Sequence, residues 1–125
     1  MLNPLFIAAE GDVTPNISLD AGRNIFEIEG WSHPEDAIAF YTPVADWLSR
    51  YEGSPNPQTD FYFKFQYYNT ASAKQIVRII SALESISRKS KVAIHWHYDA
   101  EDSDMLAAGE RFAKMCDIPF KFVTY

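Results

Sequence analysis

Apolar and polar side chains alternate with period two from Thr59 to Tyr68, the clearest strand in the chain. Phe61, Phe63, Phe65 and Tyr67 share one face of it; Tyr62, Lys64, Gln66 and Tyr68 share the other. Val92 to Tyr98 repeats the pattern, with Val92, Ile94, Trp96 and Tyr98 opposed to Ala93, His95 and His97. Shorter runs at Ile17-Ser18-Leu19 and Ile25-Phe26-Glu27-Ile28-Glu29 flank the turn-forming segment Asp20-Ala21-Gly22-Arg23-Asn24 and predict a hairpin, which Gly30-Trp31 ends. Phe120 to Tyr125 predicts a closing strand.

Between these runs the period becomes helical. Ile38, Tyr41, Val44, Ala45 and Leu48 form one stripe and predict a helix from about Pro34 to Tyr51. Ser32 can cap it and Glu35 sits where a capping box wants an acid. Pro43 lies inside and predicts a kink or a displaced start. A second helix begins within Asn69-Thr70-Ala71-Ser72, with Ile76, Val77, Ile80, Leu83 and then Ile86 or Ser87 on its buried stripe. A third runs from Met105 to Cys116. Residues 1–15, broken by Pro4, Gly11 and Pro15, predict a loose lead-in without regular structure. The order is β-β-α-β-α-β-α-β, an α/β chain. Alternating strands and helices imply parallel neighbours with right-handed crossovers. The expected architecture is a single mixed β-sheet with helices mainly on one face, since Lys64, Gln66, His95 and His97 make the other face too polar to bury. Residues 1–12 read as the lead-in and 13–125 as one domain.

Composition agrees with one ordinary globular unit: 125 residues, 47% apolar and 22% charged. Seventeen acids against eleven Lys plus Arg give a net charge of −6. That balance argues against nucleic acid, whose affinity rests on cations at phosphates, and against an anionic membrane surface. No apolar run approaches the roughly 18 residues of a membrane span. The N-terminus does not read as a signal peptide, and Cys116 is the single cysteine, so the default expectation is a cytoplasmic protein.

Three segments can carry chemistry. Asn69-Thr70-Ala71-Ser72 joins the carboxyl end of a strand to a helix N-terminus, the edge of an α/β sheet where function tends to sit. Free N–H groups and the positive dipole end favour an anion there, although on position alone a helix cap is by far the commoner use of Asn69 or Thr70. His95, His97 and Asp99 alternate on one strand face, so a metal- or small-ligand site using them is the alternative reading. Asp99, Glu101, Asp102 and Asp104 form an acidic turn without the glycine and terminal Glu of an EF-hand. There is no G-x-S-x-G, no P-loop and no paired-carboxylate cleft. No catalytic residue and no cofactor is expected.

Several of these segments, taken together, resemble the SiaC family of small bacterial regulatory phosphoproteins, whose fold is similar to STAS-like anti-sigma-factor antagonist domains. The resemblance runs from Thr14-Pro15 through Ser32-His33-Pro34-Glu35-Asp36, close to the family's S-Y-P-E-N. It continues with Tyr67-Tyr68-Asn69-Thr70-Ala71-Ser72 in place of Y-x-N-T-S-S, then Trp96-His97-Tyr98-Asp99 and Ile118-Pro119-Phe120. Ala71 replaces a serine of the pattern. The resemblance implies a partner switch without enzymatic activity, in which the Thr of the Asn-Thr pair, here Thr70, is phosphorylated by a dedicated serine/threonine kinase. A PP2C-type phosphatase would reverse the modification. The unphosphorylated form would bind and stimulate a diguanylate cyclase, linking the switch to cyclic-di-GMP and biofilm formation. Tyr68, Asn69, Ser72 and Lys74, close to Thr70 in sequence, are the expected partner-binding residues.

Overall fold

Strands and helices alternate along residues 2–125, the part of the chain that the computed structural model describes. The strands are β1 (Leu5–Ile7), β2 (Asn16–Asp20), β3 (Ile25–Ser32), β4 (Gln58–Tyr68), β5 (Lys91–Tyr98) and β6 (Phe120–Thr124). The helices are α1 (Ala37–Tyr51), α2 (Thr70–Ser87) and α3 (Ser103–Lys114). All strands join one sheet in sequential order from β1 to β6. β1, β2 and β3 pair antiparallel, and β3 to β6 pair parallel. Sequential parallel strands joined by right-handed crossovers put all three helices on the same face. The expected mixed sheet is therefore present.

The lead-in differs from its expectation. Leu5–Ile7 forms an edge strand on β2, and the indole N–H of Trp47 donates to the Asn3 carbonyl at 2.7 Å. Backbone pairing to a neighbouring strand holds a segment whose side chains carry no periodic signal. The element order is thus β-β-β-α-β-α-β-α-β.

Between sheet and helices lies an aromatic core. Phe26, Tyr41, Tyr51, Phe61, Phe63, Phe65 and Trp96 are all fully buried, with Ile17, Leu19, Ile28, Leu48 and Ile76 filling between them. α1 buries Ala37, Tyr41, Val44, Trp47, Leu48 and Tyr51, whereas Ile38, expected on that stripe, is 64% exposed. Positions 37 and 38 both lie one turn from Tyr41, and the helix presents the smaller one to the core. α1 starts at Ala37 rather than Pro34, because Asp36 is the cap: its carboxylate accepts from the Ala39 amide at 3.0 Å. Pro43 remains inside the helix on an exposed face. In α2, Ile79 takes the buried place expected of Val77. α3 begins at Ser103 behind the Asp102 cap. No helix is long and apolar enough to cross a membrane among the described residues.

One irregularity shapes the functional edge. β3 does not end at Gly30. It continues to Ser32 through Gly30 at φ +120, where the register against β4 shifts. Gly30 pairs with Phe65, and Trp31 pairs with Tyr67, so Gln66 is an extra residue on β4. A one-residue bulge flips every later side chain to the opposite face. Tyr67 therefore turns outward, 43% exposed, although the alternation placed it with Phe61, Phe63 and Phe65. Tyr68 turns inward and packs on Phe65, Trp96 and Phe112 at ring distances of 5.7, 6.5 and 6.3 Å.

α3 approaches β5 through Gly109, which lies against the indole of Trp96; that indole donates its N–H to the Met105 carbonyl at 2.9 Å. A methyl group on Gly109 would run into the ring. Gly109→Ala should lower the unfolding free energy by about 1–3 kcal/mol through overpacking, read from urea denaturation. An unchanged urea midpoint would contradict this contact.

Candidate functional site: the start of α2

Thr70 is the first residue of α2, directly after the carboxyl end of β4, and is exposed. Asn69 is the N-cap: its side-chain oxygen accepts from the Ser72 amide at 2.8 Å. The Asn69 carbonyl accepts from the Ala73 amide at 2.9 Å, and the Asn69 amide donates to the Ser32 carbonyl at 2.9 Å. Asn69, not Thr70, accepts from the Ser72 and Ala73 amides. The threonine hydroxyl is left at the surface beside first-turn amides that have no acceptor within the helix. Lys74, one turn further on, is exposed on the same face.

Beneath Thr70 the helix start is tied to the sheet by a chain of hydroxyls. Ser72 Oγ donates to the Ser32 carbonyl at 3.2 Å and shares a bond with Ser32 Oγ at 2.8 Å. Ser32 Oγ in turn shares a 2.6 Å bond with the Tyr41 hydroxyl. Each hydroxyl has one proton, so the consistent order of donation is Tyr41 to Ser32 to Ser72 to the Ser32 carbonyl. All three side chains are fully buried. Burial pushes the Tyr41 hydroxyl up to about 12, against a smaller lowering by its bond to Ser32. The chain fastens α1, β3 and α2 at one point.

The expected partner-binding residues separate in space. Asn69 and Lys74 are at or near the surface, and Tyr68 is half-buried with its ring turned inward. Ser72 is a correction: its side chain is sealed in the hydroxyl chain and offers nothing to a docking partner. Residues that sequence reasoning passed over lie at the same edge. Trp31 is 42% exposed and packs on the outward-turned Tyr67 at 5.9 Å, and the His33 ring meets Tyr67 edge-on at 5.9 Å. The isolated Gly30 inside a strand pattern was the available signal for the bulge that exposes them.

The histidine alternative is not assembled. His95 Nε2 bonds to Asp60 Oδ1 at 2.8 Å, and its ring stacks on Tyr62 at 4.3 Å. His97 lies between Tyr62 and Tyr125, with Nε2 enclosed and without a partner among the described residues. Burial, then the charges of Lys64 and His95, lower its pKa. Asp99 is spent at the chain turn, accepting from the Glu101 amide at 2.9 Å. Among the described residues no three His, Cys, Asp or Glu side chains are grouped to hold a metal. Asp60, on the neighbouring strand β4 and in register with Ala93, is the carboxylate that His95 meets instead of Asp99.

A mixed sheet with helices on one face, and an exposed threonine at a capped helix start where β4 ends, define an α/β domain with a surface threonine at the carboxyl edge of its parallel strands. Residues 8–125 match the family model described as "SiaC family regulatory phosphoprotein", and the chain belongs to this family. SiaC of Pseudomonas aeruginosa is 26% identical, covering 98% of this chain and 99% of that one, with a TM-score of 0.87. Apo-SiaC from the same organism superposes with a TM-score of 0.88 at 26% identity, covering 97% of this chain and 98% of that one. The SiaC chain in the crystal structure of the diguanylate cyclase SiaD in complex with its activator SiaC, also from Pseudomonas aeruginosa, gives 0.89 at 26% identity, covering 97% and 99%. Comparison with curated protein sequences gives no match.

The Tyr41 hydroxyl has a testable consequence. Its folded pKa of about 12 exceeds the ordinary tyrosine value near 10. Its contribution to stability is complete below the unfolded value and is lost as pH rises toward the folded one, because the unfolded chain releases the proton first. Urea unfolding from about pH 9 to about pH 12 should show falling stability in the wild type and a shallower fall in Tyr41→Phe. At neutral pH the same variant should lose about 1 kcal/mol from the broken hydroxyl chain. Identical pH profiles would remove Tyr41 from the network.

Proposed function

We propose that this protein is a non-enzymatic, cytoplasmic switch protein, reversibly phosphorylated on Thr70, whose unphosphorylated form binds and stimulates a diguanylate cyclase. The observation that carries the proposal is the exposure of Thr70 on a helix start whose capping and tertiary ties are made by other residues. A kinase can reach the hydroxyl without opening the fold. The phosphoryl group would stand beside the first-turn amides and the positive end of the α2 dipole, within one turn of Lys74. The fold tolerates the charge for that reason.

The same charge acts differently on a partner. A phosphothreonine adds about −1.5 to −2 at neutral pH. The protein already carries −6. Added charge at the docking edge opposes an acidic or apolar partner surface by repulsion and desolvation. The likeness to the SiaC that activates SiaD supports a diguanylate cyclase as the output protein. A serine/threonine kinase writes the mark and a PP2C-type phosphatase erases it, so that cyclic-di-GMP output and biofilm formation follow the balance of the two. In this reading Asn69 and Lys74 contribute directly to docking, together with the exposed Trp31 and Tyr67. Ser72 contributes only by holding the helix start, and Tyr68 by packing the end of β4 onto Trp96 and Phe112.

Incubation with the family's kinase and radiolabelled ATP should label the wild type and leave Thr70→Ala unlabelled. Equal labelling of both would refute Thr70 as the acceptor. Thr70→Asp should weaken binding to the cyclase by about tenfold or more, with an unchanged far-ultraviolet spectrum. Wild-type affinity in that variant would contradict the charge mechanism.

A further inference from the structure

At the amino-terminal edge of β4 and β5, opposite the edge that bears Thr70, lies an open cleft of about 860 Å³. It is bounded by the end of α2, the start of β5 and the turn before β6. Arg88, Lys89, Lys91 and Lys121 line it, four of the eleven Lys plus Arg in a chain of net charge −6. The carboxylates lining it are Glu84 and Asp117. Glu84 is already engaged, accepting from the Asp117 amide at 3.3 Å. Lys89 is paired with Glu52 at 3.9 Å. Among the described residues, no carboxylate lies within ion-pair distance of Arg88, Lys91 or Lys121. Positive charge is therefore concentrated here against the sign of the whole molecule.

A second observation points the same way. Ser90 Oγ, between Lys89 and Lys91 in the cleft lining, is enclosed and has no hydrogen-bond partner among the described residues. Enclosed hydroxyls ordinarily find one. Beside it, Val92 and Ile118 supply an apolar floor under the cationic rim.

We infer that this cleft is a docking site for an acidic segment of a protein partner, held independently of the state of Thr70. Charge complementarity selects carboxylates for the free cations of Arg88, Lys91 and Lys121. The apolar floor takes an intervening aliphatic side chain. A nucleotide fits less well: among the described residues no aromatic side chain lines the cleft to stack a base. An open groove also suits an extended chain better than a small compact ligand.

The test uses a fluorescent peptide of repeated Glu-Asp-Leu units and the full-length protein, with amide chemical shifts as the map. Shifts should concentrate at Ser90, Lys91, Val92 and Lys121. Affinity should fall about tenfold in Arg88→Glu/Lys91→Glu, fall with added salt, and stay unchanged in Thr70→Asp. Equal binding by wild type and the charge-reversed variant would overturn the inference, as would shifts spread over the whole surface. So would saturable binding of inorganic pyrophosphate in the cleft with no binding of the peptide. The readouts do not involve labelling of Thr70, so failure here leaves the phosphorylation reading standing, and the reverse.

Discussion

The hydrogen bonds from Ser72 to Ser32 hold the functional edge in place. Ser72 Oγ reaches both the hydroxyl and the carbonyl of a residue forty positions earlier, and Tyr41 closes the chain from α1. Without them the first turn of α2 would depend on the Asn69 cap alone. Helix ends fray because their first amides lack internal partners. Here the end is fixed from below, by buried groups, so the residue above it is free of structural duty. In the proposed switch, that division would let Thr70 carry the phosphate while its neighbours carry the fold.

The bulge at Gln66 completes the arrangement. By flipping the last two residues of β4, it sends Tyr68 inward onto Phe65, Trp96 and Phe112 of α3, and Tyr67 out to Trp31. One inserted residue thus builds both the packed support and the exposed aromatic surface of the same edge. Thr70 lies at the carboxyl ends of the parallel strands, and the basic cleft lies at their amino ends. The sheet separates the two, so a charge added at one edge is too far for direct, unscreened influence on the other.

Most elements were legible because their periods are long and clean. β4 and β5 alternate over enough residues to leave no other reading, and the position of Thr70 between a strand and a helix followed from that. The errors share a cause. Ile38 and Ala37 satisfy helical spacing to Tyr41 equally well, and only packing distinguishes them. Tyr67 was misplaced because the bulge breaks the period within β4, while its one trace, Gly30, lies on the facing strand. Ser72 looked like a surface hydroxyl because its partners, Ser32 and Tyr41, lie far away in sequence. β1 was missed because three residues paired through their backbone carry no side-chain pattern. The alternating His95, His97 and Asp99 read as one face, but Asp60 on the neighbouring strand had taken His95. Local pattern identifies elements; pairings between distant hydroxyls and across strands need the fold.

The central claim is that Thr70 can gain a phosphate while the helix beneath it stays tied to the sheet. Amide hydrogen exchange at Ala73, Gln75 and Ile76 in the unmodified protein and in the Thr70-phosphorylated protein measures this directly. The expected result is protection factors that agree within about threefold, because the ties made by Ser72 and Asn69 survive the modification. Loss of that protection to the level of an unfolded peptide would contradict it, since the phosphate would then act by melting the helix start rather than by charging its surface.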